Sequence, residues 1–260
     1  MTEAPALPPL RRITKVYLAS LTAAAFGMSV ALIAVATVPT GGRLALALGL
    51  TIGVALAYAA PINAGHRVAF TLEVVSLVPA ALLFDPGIAI LIVVGGVVVA
   101  RPIRQRLPWL TPVVRHMSWA ESIFSAASLA LEVATMGLIL AAIGWQTDAP
   151  RFDPPAPIIA AIVGGVMMYL VEHLALAGVI SFQERLPLAT VFSDVTIGAQ
   201  HAERLQYLAQ LGVGLLAAVI AEAHPWALAL LLLPGGAVYA ALQQHVAMRR
   251  RAEANLAAAQ

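Results

Sequence analysis

MMYLVEHLALAG, residues 167–178, sets a carboxylate and an imidazole, Glu172 and His173, side by side inside an apolar run from Ile158 to Ile180. Read as a helix, that run is 23 residues long, and at about 1.5 Å per residue it crosses a hydrocarbon layer of about 30 Å. The flanking sequence makes the helix a membrane span. Of 260 residues, 61% are hydrophobic and 11% charged, whereas a soluble domain carries about a quarter charged residues.

Working outward, eight apolar segments are expected, over 16–38, 44–60, 68–84, 87–100, 119–144, 158–180, 205–221 and 226–242. The fold class is therefore all-α, a polytopic helical bundle of seven or eight spans. The fourth segment is short and parts from the third only at Asp85-Pro86-Gly87, a strong turn signal. These two are either tilted short spans or a re-entrant pair. The first segment has a basic leader and Ala34-Val35-Ala36 as a cleavage-like site, but its apolar stretch exceeds a signal-peptide core. It is read as an uncleaved span; cleavage would leave seven.

Charge fixes the expected orientation. With the N-terminus inside, Arg11, Arg12, Lys15, Arg67, Arg101, Arg104, Arg106, Arg115, Arg185, Arg204, Arg249, Arg250 and Arg251 fall on the inner side. Only Arg43 and Arg151 fall outside, a strong positive-inside bias. Both termini are then cytoplasmic and the location is a bacterial inner (plasma) membrane. The pI near 9.3 does not indicate nucleic acid, because the net charge is only +2 and the basic residues lie in short clusters between spans. The domains expected are a cytoplasmic tail 1–15, a bundle 16–242 and a cytoplasmic helical extension 243–260. The inner segments 101–118 and 182–204 read as headgroup-layer segments or as ordinary loops, and Trp145 and Trp226 as an outer aromatic belt.

The polar residues within spans are the candidate site. Glu121, Ser125, Ser128, Glu132 and Thr135 repeat at intervals of 4, 3, 4 and 3, one narrow stripe of a helix. Ile123, Leu131, Val133, Leu138 and Ile139 take the other faces, so the stripe is expected to point into the bundle. Tyr169, Glu172 and His173 share a face by the same spacing, and Glu73 lies in the third segment. Glu132 and His173 are a plausible pair. Candidate ligand-binding residues are thus Glu73, Ser125, Ser128, Glu132, Tyr169, Glu172 and His173. Three uses fit them: interhelical hydrogen bonding alone, a ligand or ion pocket, or proton chemistry.

Enzyme signatures are missing from the sequence. VEHLALAG offers Glu-His once, with no second His four residues on, and no G-x-S-x-G or P-loop occurs. His66, His116, His201 and His224 are scattered near span ends, and the chain has no cysteine, so no metal site and no cofactor are expected. The tandem glycines at 41–42, 95–96, 164–165 and 235–236 suit turns or close helix contact. From Ala240 the chain reads ALQQHVAMRRRAEANLAAAQ without Pro or Gly, a helical continuation into the cytoplasm that is either a solvated tail or a short coiled-coil seam.

Three stretches, PINAGHRVAFTLEVVSLVPAALLFDPGIAIL, AESIFSAASLALEVATMGL and AEAHPWALALLLLPGGAVYAALQQHVAMRRRAEANL, carry a family likeness. Over most of 44–260 the chain resembles the N-terminal membrane-associated sensory (MASE-type) regions of bacterial signalling proteins. The resemblance implies a non-enzymatic sensory module that passes a packing change to its last helix and from there to a catalytic output domain. None of the output motifs occurs here, so the output is expected on a partner protein or beyond Gln260. The partners expected are the lipid bilayer, a small apolar or amphipathic ligand, and a protein partner or second copy bound through the C-terminal helix. GHRVAFTLEV followed by two short spans is also similar to the substrate-binding subunits of vitamin uptake systems, which implies a transport component. An accessory subunit of a larger membrane complex is the third reading.

Overall fold

In the computed structural model of the chain, the residues described are 10–59, 62–63, 69–70, 72–106, 119–147, 150, 152, 155–196, 201–228, 244 and 248. Eight α-helices lie among them: α1 (Arg12–Val35), α2 (Gly41–Ala59), α3 (Val74–Leu83), α4 (Pro86–Arg106), α5 (Trp119–Ala142), α6 (Ala156–Glu184), α7 (Leu188–Thr196) and α8 (His201–Ala223). A two-residue antiparallel ladder, β1 (Ile62–Asn63) on β2 (Ala69–Phe70), joins α2 to α3. All of these helices except α3 and α7 are long and apolar enough to cross a membrane, which gives six candidate spans. The chain is a multi-pass membrane protein.

Two segments differ from the sequence reading. The third apolar segment, 68–84, contributes only a ten-residue helix, α3. Before it Ile62 pairs with Phe70 and Asn63 with Ala69, so part of the segment is strand and helix starts only at Val74. At 1.5 Å per residue α3 is about 15 Å long, half of a hydrocarbon core. The fourth segment is the longer one, with 21 residues in α4. Its helix runs on through Arg101 and Pro102 to Arg106. The proline gives up one backbone bond, while the closing arginines suit the negative end of the helix dipole. The eighth segment, 226–242, and the extension 243–260 lie outside the described residues apart from residues 226–228, Gln244 and Met248, as do residues 107–118 of the first inner loop and 197–200 of the second.

One end of the bundle is tied by a hydrogen-bonded corner. Pro86 opens α4, a position where its missing N–H costs nothing. Asp85, just before it, accepts bonds from Thr37 N (3.0 Å) and Thr147 Oγ1 (2.8 Å). The Trp145 indole donates to Leu82 O at 2.8 Å, and Arg43 donates to Thr147 O at 2.7 Å and lies 4.0 Å from the Glu222 carboxylate. The exits of α1, α3, α5 and α8 and the starts of α2 and α4 therefore meet at this Trp145 end. It follows that α3 and α8 run in the same direction, and they pack along each other.

Small residues set the helix spacing. A Cβ on Gly96 would fall 2.5 Å from Val54 Cγ1, so α4 lies directly on α2. Gly164 and Gly165 receive Met136 of α5 and Leu211 of α8 in the same way. At Gly87 a Cβ would meet Leu32 O at 2.5 Å, which is why glycine follows the proline of the turn. The core, built on Leu77, Leu82, Val93, Val133, Met136, Leu140 and Met168, lies among α3, α4, α5 and α6. By contrast α1 leaves Ile13, Val16, Phe26, Val30 and Val35 exposed, a surface suited to lipid.

Candidate functional site

The α5 stripe meets α6 in the interior. Glu132 is 3% exposed and His173 4%, so both point into protein. Ser128 is buried, Ser125 and Thr135 are half-buried, and Glu121 is exposed at the end of the stripe. Of the residues expected on the outer faces, Ile123 and Leu138 are exposed, while Val133 is fully buried because α5 is packed on by α1, α3, α4 and α6. On α6, Tyr169 and Glu172 are half-buried beside His173, and Glu73 is buried immediately before α3.

Each group has its own partners. Ser128 Oγ donates to Glu132 Oε1 at 3.0 Å, one turn away on the same helix. Glu172 and Glu73 lie within electrostatic reach of Glu132. His173 Nδ1 is 2.8 Å from Tyr169 O, and the two rings stack with centroids 3.8 Å apart. Glu132 and His173 thus each have a partner on their own helix, and what joins the two helices electrostatically is Glu132 with Glu172.

Three side chains not singled out from the sequence complete the cluster. Tyr207 of α8 donates to Gly165 O at 2.9 Å, and its ring meets Tyr169 edge-on at 5.0 Å. Its hydroxyl feels Glu132, Glu172 and Glu73. Nearer the start of α5, Tyr58 and Ser125 share a hydrogen bond, and the Arg104 guanidinium stands 5.4 Å over the Tyr58 ring. Arg104 in turn feels Glu73. Glu73 is thus the link between a cation-bearing group on α2, α4 and α5 and an acid-rich group on α5, α6 and α8. Tyr58 and Tyr207 share no helical spacing with the expected site residues and join it only through the tertiary approach of α2 to α4 and α5 and of α8 to α6. Arg104 read as an inside-loop charge.

Two further contacts bring α7 in. Arg204 donates to Thr196 O at 3.0 Å, and the Tyr169 hydroxyl approaches the same carbonyl at 3.5 Å. The end of α7, the start of α8 and the middle of α6 therefore lie at one level.

The arrangement is expensive. A carboxylate at mid-bilayer costs about 3 kcal/mol on insertion scales. One charge-assisted bond, such as that from Ser128, returns about 1.5–3 kcal/mol. Glu73, in turn, has the Arg104 cation within electrostatic reach. Among the described residues, no group of three His, Asp or Glu side chains converges in a metal-holding geometry. No protein-family model, curated protein or solved structure matches the chain.

Proposed function

We propose that the chain is a non-enzymatic sensory or regulatory module of a bacterial inner membrane, with both termini in the cytoplasm. A small apolar or amphipathic ligand, or a partner helix, biases the packing of α5 and α6 around the interior cluster. The change passes to the C-terminal segment, 243–260, and through it to a protein partner or a second copy. Such a device needs two arrangements that differ in affinity for what they bind. The observation that carries the reading is the burial of Glu132 within electrostatic reach of Glu73 and Glu172, with His173 buried next to Glu172 in the chain, because ionisable groups gathered in a membrane interior are a functional signature. The positive-inside bias supports the orientation, and the MASE-type resemblance supports the output route.

The test is purification in mild detergent, with identification of the small molecules and proteins that accompany the chain. The double variant Glu132→Ala/His173→Ala is expected to insert normally and to lose the companion. Retention of the same companion by the double variant would overturn the reading. One observation favours a second reading, a substrate-binding transport component: α3 is a half-length helix preceded by extended chain, and irregular backbone at membrane depth occurs where it lines a cavity or is buried in protein. Substrate accumulation in vesicles containing only this chain would favour transport, and a stoichiometric partner protein would favour an accessory subunit.

A further inference from the structure

We propose that the corner where α1 begins and α6 turns into α7 binds the headgroup of an anionic phospholipid. Among the described residues, four cations, Arg11, Arg12, Lys15 and Arg185, are exposed there, against one exposed carboxylate, Glu184. Arg11, Arg12 and Lys15 fall on one side of the first helical turns by their spacing. No acidic residue stands in the first turn of α1, and its N-cap residue, Arg11, makes no side-chain cap bond, so the positive end of the helix dipole adds to the same charge.

The corner is a fixed structure. Gln183 Oε1 accepts bonds from Arg11 N and from Thr14 Oγ1, both at 3.1 Å. One turn further along, the Tyr17 ring packs on Phe182 at 5.1 Å, and its hydroxyl donates to Ala175 O at 3.2 Å. These contacts hold the start of α1 level with the end of α6. Arg185 then turns the chain in a left-handed conformation, φ 63°. Ser181 Oγ closes that turn on Leu186 O at 2.7 Å. The cations are therefore presented by a braced junction of two helices.

The rim distinguishes a lipid from a free anion. Ile13 and Val16 are 54% and 58% exposed, and Leu186 and Leu188 are 46% and 41% exposed, all within a few residues of the cations. Apolar side chains beside snorkelling cations match the boundary between acyl chains and headgroups. Inorganic phosphate would gain nothing from that rim. The inference needs only that the chain is in a membrane and is independent of the interior cluster.

The full chain, in nanodiscs of phosphatidylcholine with a minority of phosphatidylglycerol, tests it. Lipids retained after gentle release are identified by native mass spectrometry. The chain is expected to retain phosphatidylglycerol well above its share of the bilayer, including in excess inorganic phosphate. A cation near an anionic leaflet is worth about fivefold in affinity, so the variant R12Q/K15Q/R185Q should lose the enrichment and R12K/R185K should keep it. All three positions are exposed, and an unchanged gel-filtration profile shows that the variants are folded. Retention in proportion to the bulk lipid, equal retention by the glutamine variant, or displacement by inorganic phosphate would each overturn the proposal.

Discussion

The Trp145-end corner and the interior cluster are both polar assemblies in an apolar bundle, yet they are put together on opposite principles. At the corner every contact pairs a donor with an acceptor: Asp85 takes a backbone N–H and a hydroxyl, Trp145 and Arg43 give to carbonyls, and Arg43 faces Glu222. In the interior, Glu132 has one hydroxyl donor and two other acids for neighbours. The first arrangement stabilises a fold. The second gathers three acids from three parts of the chain within electrostatic reach of one another.

That contrast can be broken by mutation. The largest effect is expected from Asp85→Ala, which removes two hydrogen bonds and strips the partner from the Thr37 N–H. A loss of about 2–3 kcal/mol follows, read as a lowered thermal midpoint in a fixed detergent. Tyr207→Phe should cost about 1 kcal/mol, the bond to Gly165 O, while leaving the ring contact with Tyr169. Glu132→Gln should cost least. Glutamine still accepts from Ser128 and can carry no charge beside Glu172 and Glu73, so the midpoint should stay or rise. If Glu132→Gln destabilised as strongly as Asp85→Ala, the interior would be structural hydrogen bonding and the contrast would be lost.

The legible part of the molecule was what periodicity controls. The 4-3-4-3 stripe of Glu121 to Thr135 located the polar face of α5 because one helix repeats it locally. Asp85-Pro86-Gly87 announced a turn by its own chemistry. What Asp85 binds was not legible, because its partners Thr37 and Thr147 are 48 and 62 residues away. The late start of α3 was hidden as well. Val68 to Glu73 is apolar enough to read as span, and only pairing with Ile62 and Asn63 makes part of it strand. Tyr207 joined the cluster through tertiary approach of α8 to α6, which no spacing within either helix encodes.

The chain has no cysteine, so single cysteines carrying a nitroxide report each site without background. The decisive measurement compares collision of bilayer-dissolved oxygen with labels at positions 132 and 173 on one hand and 123 and 138 on the other, in reconstituted protein. The account predicts low accessibility at 132 and 173, and high accessibility at 123 and 138. Accessibility at 132 and 173 as high as at 123 and 138 would contradict it.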